Sequence, residues 1–536
     1  MYNRLRKAGL GDVVMLSLPL FAQKEPFVSP VNRNAQIAKL TEVSVDSFDF
    51  YLNFFKGQGY EQKQSHDNGV YRFAGLTANN EGVFINYFYR TRALHIVAEQ
   101  NCNYFSFKDA CGEKICEPQI TQLSLVDYGM SYVIRLSDGR FILIDGGNNY
   151  ERDVDRLMAF LKESSPLHKP VIACWIMTHA HHDHFHAYFG MEDKYEGEYE
   201  IQSFMLNFME VDDERFPGME KASNAFGYDN SNLVNIPILF DRMKKTGAPI
   251  YMAHTGQIYN FGDAKIELLS TLDEMIDFMR ANINATSLVF KMELGGQTIL
   301  WTGDATLSEA SLPQRYGDYI KSDIFQVPHH GFEGPINPKV ELEGYIINSA
   351  KVCFLPVSKN NAYTAIDTFH VGPRYLFQYA DAEVIVGDDN KTITLPYTPS
   401  PHRILENRYN FREGLSRSGA TVWTFTGLKY ENADDVEFEV LKSAGWVDAT
   451  ITAQLYFFDK AKNISNIRFS LKTGYHRINI ADFSKNVIDG VWHSGRTLAE
   501  KGFESEGEFA IKFISSMPVV ISNKNHQATY KNELNV

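Results

Sequence analysis

Apolar and polar positions along this chain switch in short runs, and run length decides what each run can form. Residues 171–177 are continuously apolar and too short for a helix, so they read as a buried strand. Residues 131–136 and 141–145 read as two strands joined at Asp138-Gly139, a hairpin signal. Further strands are expected at 264–269, 288–294, 297–301, 323–327, 352–356, 383–386 and 392–395. Helical spacing is rarer. It occurs at Phe48, Tyr51, Leu52 and Phe55 within residues 44–56, closed by Gly57, and again over 150–163 and 232–245. Strands and helices interleave from residue 118 to 396, which is α/β in character.

The flanks differ in texture. Residues 1–40 lack periodicity and read as an extended lead-in, while 70–76, 83–91 and 93–99 alternate. With the helix at 44–56, residues 1–117 are expected to form a small α+β module. Residues 397–420, opening on Thr398-Pro399-Ser400-Pro401, read as a connector, and residues 421–536 as a separate β-rich module. A chain of 536 residues has room for such a multidomain plan.

Composition narrows the class. Hydrophobic residues at 44% and charged residues at 22% describe a soluble globular protein, and no apolar run approaches a membrane span. A net charge of −14 repels polyanions, so tight duplex nucleic-acid binding is not expected. Five cysteines (Cys102, Cys111, Cys116, Cys174, Cys353) are few, odd in number and irregularly spaced, which favours a reducing, cytoplasmic compartment. Secretion is the alternative, because residues 1–22 loosely imitate a signal segment; their apolar part is short, contains Pro19 and follows Asp12.

Chemistry concentrates where the 171–177 strand ends, at Thr178-His179-Ala180-His181-His182-Asp183-His184. A lone histidine there would read as a hydrogen-bonded loop residue, but four histidines and an aspartate within six positions read as a metal site. In extended chain His179 and His181 point the same way and can share one cation. Asp183 and His184, past a bend, can face a second. Zinc suits these donors first, with manganese or iron as alternatives. Three other apolar strands also end in metal-type residues, at Asp145, Asp304 and His329-His330. If their carboxyl ends lie together, the polar tips converge on one rim.

The H-x-H-x-D-H pattern at His179, His181, Asp183 and His184 resembles the signature of the metallo-β-lactamase superfamily. Ile144-Asp145-Gly146-Gly147, Thr302-Gly303-Asp304 and Val327-Pro328-His329-His330-Gly331 resemble its other motifs. The combination of Asn284-x-x-Ser287-Leu-Val with the last two is similar to the branch holding the soluble hydrolase domain of the competence protein ComEC, over residues 118–396. The resemblance implies a metallo-β-lactamase-like αββα sandwich carrying two divalent metal ions at one edge. It assigns His179 and His181 to the first ion, Asp183 and His184 to the second, and Asp304 to a bridge. His329 is the expected last ligand of the second ion, with His330 as the alternative or as a proton donor. Asp183 and His330 are the expected catalytic residues.

One departure stands out. Most members have a histidine at the slot of Asn284 or a neighbour, so the first ion is expected to be weakly held, or completed by water, Asn284 or a histidine from elsewhere such as His254. Asp145 reads as a carboxylate partner for a ligand imidazole, or as a turn former before two glycines. His186 reads as a pocket wall, His370 as a surface-loop residue and the acidic stretch 192–200 as a solvated loop. Two such ions would activate a water for hydrolysis, and the resemblance implies a small-molecule or oligomeric phosphodiester as first substrate class. A lactone, thioester or other ester is the alternative, and a non-enzymatic metal-containing binding module is the third reading. No channel segment accompanies the domain, so a DNA-transport role does not carry over, and no protein partner is indicated.

Overall fold

A computed structural model of the chain describes residues 18–30, 35–100, 102, 107–109, 112–208, 231–275, 283–332, 337–357, 372, 376, 382–387 and 389–399, together with ten strand segments between 410 and 522. The chain divides into two compact units, residues 1–358 with 384–399 and residues 359–383 with 400–536.

In the first unit, β1 (Phe27–Pro30), β2 (Ala35–Leu40), β3 (Glu61–Asp67), β4 (Tyr71–Ala78), β5 (Glu81–Phe88) and β6 (Ala93–Gln100) form a sheet ordered β1-β2-β6-β5-β4-β3. Helix α1 (Asp46–Gly57) covers one face, burying Phe48, Tyr51 and Phe55 against Leu40, Leu76, Val83 and Ile85. Two elements depart from the sequence reading. Residues 35–40, expected in the lead-in, are a buried strand between β1 and β6; burial on both faces removes the polar alternation that marks a strand. β3 alternates only between exposed and half-buried polar residues because it is an edge strand, where polar side chains deter further pairing.

The other face of this sheet docks through polar contacts. Asn86 Nδ2 donates to the Thr255 carbonyl at 2.9 Å, and the buried His254 ring sits 4.5 Å from the Phe84 ring. His254 Nδ1 lies 2.7 Å from Asp273 Oδ2, and its Nε2 lies 2.7 Å from Glu99 Oε2. Burial alone would lower the His254 pKa, but the Asp273 and Glu99 carboxylates outweigh it and raise it to about 10. A raised folded pKa gives stability that is complete below the ordinary 6.5 and is lost as pH rises through about 10. Wild type should therefore lose more stability between pH 7 and pH 10.5 than Glu99→Gln does, in paired urea titrations. At pH 7 Glu99→Gln should itself cost about 3 kcal/mol, the scale for breaking a buried pair.

Two larger sheets follow. The first runs β14 (Ile250–Met252), β13 (Phe204–Leu206), β11 (Val171–Ile176), β10 (Phe141–Asp145), β9 (Ser131–Arg135), β8 (Gln119–Gln122) and β22 (Lys391–Thr394), with β12 (Glu200–Ile201) beside β11. The second runs β21 (Glu383–Val386), β20 (Val352–Leu355), β19 (Ile324–Gln326), β18 (Gln297–Trp301), β17 (Val289–Leu294), β16 (Ala264–Ser270), β15 (Ile258–Phe261) and β7 (Phe107–Lys108). Their inner faces meet through large rings. Tyr132 of one sheet lies 4.8 Å from Trp301 and 5.7 Å from Phe354 of the other, all three fully buried.

Helices cross the outer sides. α2 (Glu151–Ser164) links parallel β10 and β11 and buries Val154, Leu157, Met158 and Leu161, the three-and-four spacing of a core-facing stripe. α3 (His182–Phe185) and α4 (Ala187–Tyr195) follow β11, α5 (Ser231–Lys245) links β13 to β14, and α6 (Pro338–Asn348) links β19 to β20. The result is the αββα sandwich that the resemblance implies. Because β10 and β11 are parallel, as are β18 and β19, their carboxyl ends share one rim, where polar side chains leave the core.

In the second unit the described segments between 410 and 522 are all strand. A five-stranded antiparallel sheet has Asn410–Leu415, Thr421–Lys429, Glu508–Ser515, Ala449–Phe457 and Lys462–Leu471 in spatial order, and a three-stranded one has Gly474–Asn479, Asp435–Ser443 and Val519–Ser522. Strands are what the sequence reading expects of residues 421–536. Cys111 and His370 lie outside the described residues, and among the described residues no helix is long and apolar enough to cross a membrane.

Candidate metal centre

The rim is assembled by backbone turns that the local sequence dictates. Asp145 ends β10 in the left-handed region at φ 55°, a conformation aspartate tolerates better than most residues, and two glycines follow it. This turn aims the carboxylate back along the neighbouring strand. Its Oδ1 accepts the Thr178 N–H at 2.7 Å, and its Oδ2 accepts the Thr178 hydroxyl and lies 2.8 Å from His184 Nδ1. Asp145 thus fixes the loop that carries the histidines and leaves His184 Nε2 free to face the centre.

The second sheet supplies its half through Gly303 and the Pro328 turn. Gly303 has φ 53°, and a Cβ there would stand 2.9 Å from atoms of both Ser287 and Thr178, so only glycine allows the two sheets to approach this closely. The Leu288 N–H donates to the Thr178 carbonyl at 2.9 Å and ties the sheets at the same place. Ser287 Oγ accepts the Asp304 N–H at 3.0 Å, and Gln326 holds Thr302 N–H and the Gly303 carbonyl, setting the loop that presents Asp304.

Two donor sets result. His179, His181 and Asp304 bring ligand atoms within 4.8 Å of one another, and so do Asp183, His184 and His330. Asp304 serves both: its Oδ2 lies 3.7 Å from His179 Nε2, 3.2 Å from His184 Nε2 and 3.4 Å from His330 Nε2. His330 Nε2 lies 3.2 Å from Asp183 Oδ2. His329, expected as the last ligand of the second ion, is in neither of these two donor sets and has its Nε2 3.0 Å from Asn284 Nδ2. Strand alternation does not continue past Pro328, because both histidines adopt left-handed backbone (φ 49° and 52°); the second one turns inward. His254, considered as a completing ligand, has both ring nitrogens engaged by Glu99 and Asp273. His186 packs on Phe185 and Phe189 with its Nε2 3.2 Å from Asn235 Nδ2.

The electrostatics match a cation site. Burial holds His179 well below its ordinary range and lowers His181 to about 4, so both present neutral imidazoles. Burial would raise Asp183 and Asp304, but the surrounding imidazoles outweigh it and keep both carboxyls ionised. Burial would likewise lower His184 and His330; instead the facing carboxylates, Asp304 foremost, raise His184 well above its usual range and His330 to about 9. His184 Nε2, His330 Nε2 and Asp304 Oδ1 are buried with no hydrogen-bond partner among the described residues. Orphaned, convergent donors of this kind fit divalent metal ions.

Sequence reasoning did not assign Thr178, Ser287 or Gln326, which orient the ligands without belonging to either donor set. Ser287 lay inside a quoted motif, but only its contact with Asp304 N–H gives it a role.

No protein-family model and no curated protein matches the chain. Among solved structures the chain is similar to an Anabaena sensory rhodopsin transducer (18% identity, 21% of this chain and 90% of that one, TM-score 0.14). It is also similar to a metallo beta lactamase from Hirschia baltica (11% identity, 61% of this chain and 98% of that one, TM-score 0.23) and to a beta-lactamase domain protein from Burkholderia ambifaria (10% identity, 60% and 67%, TM-score 0.22).

Proposed function

We infer that the chain is a metal-dependent hydrolase, with a phosphodiester as substrate class. In this reading His179, His181 and Asp304 hold one divalent ion, Asp183, His184 and His330 hold the other, and Asp304 stands between them. The observation that carries it is the shared Asp304 Oδ2, within 3.7 Å of imidazoles from both donor sets. When bound, paired cations supply an acidified water and charge neutralisation for a displaced oxygen. The protein's part is to hold Asp183 and Asp304 ionised, to keep His179 and His181 neutral, and to present Asn284 and His329 as polar groups beside the donor sets. A phosphodiester fits because its two non-bridging oxygens can be matched by two cations, and a small one fits a chain of net charge −14 better than a polyanion does.

Turnover of bis-p-nitrophenyl phosphate should appear with zinc, manganese or iron and vanish with a chelator, while a lactone and a thioester serve as competing substrates. Faster turnover of either competitor would move the substrate class; no turnover of any, with metal bound, would favour a binding module. Elemental analysis separates the neighbouring histidines. His330→Ala should fall from two metals per chain to about one, and His329→Ala should keep both, because three protein ligands are the usual minimum for a catalytic site.

A further inference from the structure

Two aromatic side chains beside the donor sets have no place in the chemistry above. Tyr128 comes from the loop before β9, in the first sheet, and Phe332 follows the His329-His330 turn of the second. Both are half-buried. Their ring centroids are 5.1 Å apart at an interplanar angle of 63°, so they form a corner. One wall of it, Tyr128, lies 6.4 Å from the His330 ring; the other, Phe332, lies 6.2 Å from the His329 ring.

The corner is held in place by the metal loop. The Met130 N–H donates to the Asp183 carbonyl at 3.1 Å, Asn148 Nδ2 donates to the Tyr128 carbonyl at 2.7 Å, and the Phe332 N–H donates to the His329 carbonyl at 2.7 Å. The backbone that carries the two rings is therefore tied to residues on either side of the Asp183–His330 contact. Half-exposed rings set at an angle offer one face and one edge to a third flat group, the arrangement aromatic rings favour among themselves. A quaternary ammonium ligand would call for a cage closed on several sides.

We propose that Tyr128 and Phe332 form a specificity corner that receives an aryl or other planar aromatic group carried by the substrate's phosphoryl centre, an assignment that rests on the metal-dependent hydrolase reading. The chemistry of recognition is stacking on one ring and edge contact with the other, while the anionic head lies towards His330 and Asp183.

Calorimetric titration of the metal-loaded full chain with phenylphosphonate and, separately, methylphosphonate tests this without requiring turnover. Phenylphosphonate should bind about tenfold more tightly, and Tyr128→Ala and Phe332→Ala should each bring the ratio of the two affinities towards one. Tyr128→Phe should keep the ratio, since the ring and not the hydroxyl makes the contact. Equal affinities in wild type, no binding of phenylphosphonate, or a ratio untouched by both alanine variants would each overturn the corner. Bis-p-nitrophenyl phosphate turnover in the same preparations reports on the hydrolase reading separately: turnover with equal phosphonate affinities would sink the corner alone.

Discussion

Asp304→Asn should fold, bind at most one metal per chain, and lose about 10³-fold or more in kcat/KM for a phosphodiester. The change is nearly isosteric, so the Ser287 Oγ contact to the backbone N–H can persist and the loop from β18 keeps its course. What disappears is the negative charge that faces His179, His184 and His330 together. The amide oxygen can still take the place of Oδ2, but it is neutral and therefore holds cations at the two donor sets far less strongly. Elemental analysis and steady-state kinetics on the same sample measure the two losses, and near-ultraviolet circular dichroism confirms the fold. Full activity in this variant would remove the shared carboxylate from the mechanism.

Asp145→Asn should weaken metal binding by about 10- to 100-fold while leaving most of the fold intact. The amide can keep an acceptor towards the Thr178 N–H, but its nitrogen then faces His184 Nδ1, 2.8 Å from the present Oδ2. That nitrogen donates, so His184 must turn Nδ1 into an acceptor and carry its proton on Nε2, the atom aimed at Asp183 and Asp304. The wrong tautomer blocks coordination. Asp145→Ala should be worse, because it also removes the anchor of Thr178 and places alanine at φ 55°, a conformation costing about 1–2 kcal/mol for residues with a Cβ. Chelator competition gives the affinity loss and thermal melts give the stability loss; an unaltered zinc affinity in Asp145→Asn would show that the tautomer is set by another group.

The parts of this architecture legible in the sequence are those where one local pattern carries the message. Residues 141–144 and 171–177 are apolar at every position because both faces of their strands are covered, and each run is followed by a polar residue, Asp145 or Thr178, where the chain leaves the sandwich. Helix α2 announces itself through Val154, Leu157, Met158 and Leu161. What stayed hidden depended on distant partners. His254 gives no local sign of Glu99, 155 residues away, or of Asp273. The choice between His329 and His330 turns on two consecutive left-handed residues, which strand alternation cannot anticipate. Strand β2 escaped notice because its neighbours on both sides, and not its own alternation, define it.

The close approach at Gly303 carries a further consequence. Three imidazoles and a carboxylate hang from one layer of the sandwich, while Asp304 and His330 hang from the other. Ions gripped by both would rivet the layers together, so their affinity would enter the folding equilibrium directly. Catalytic geometry and mechanical cohesion would then share the same few atoms: a core substitution that spreads the layers by a fraction of an ångström would register first as lost metal and only later as lost structure.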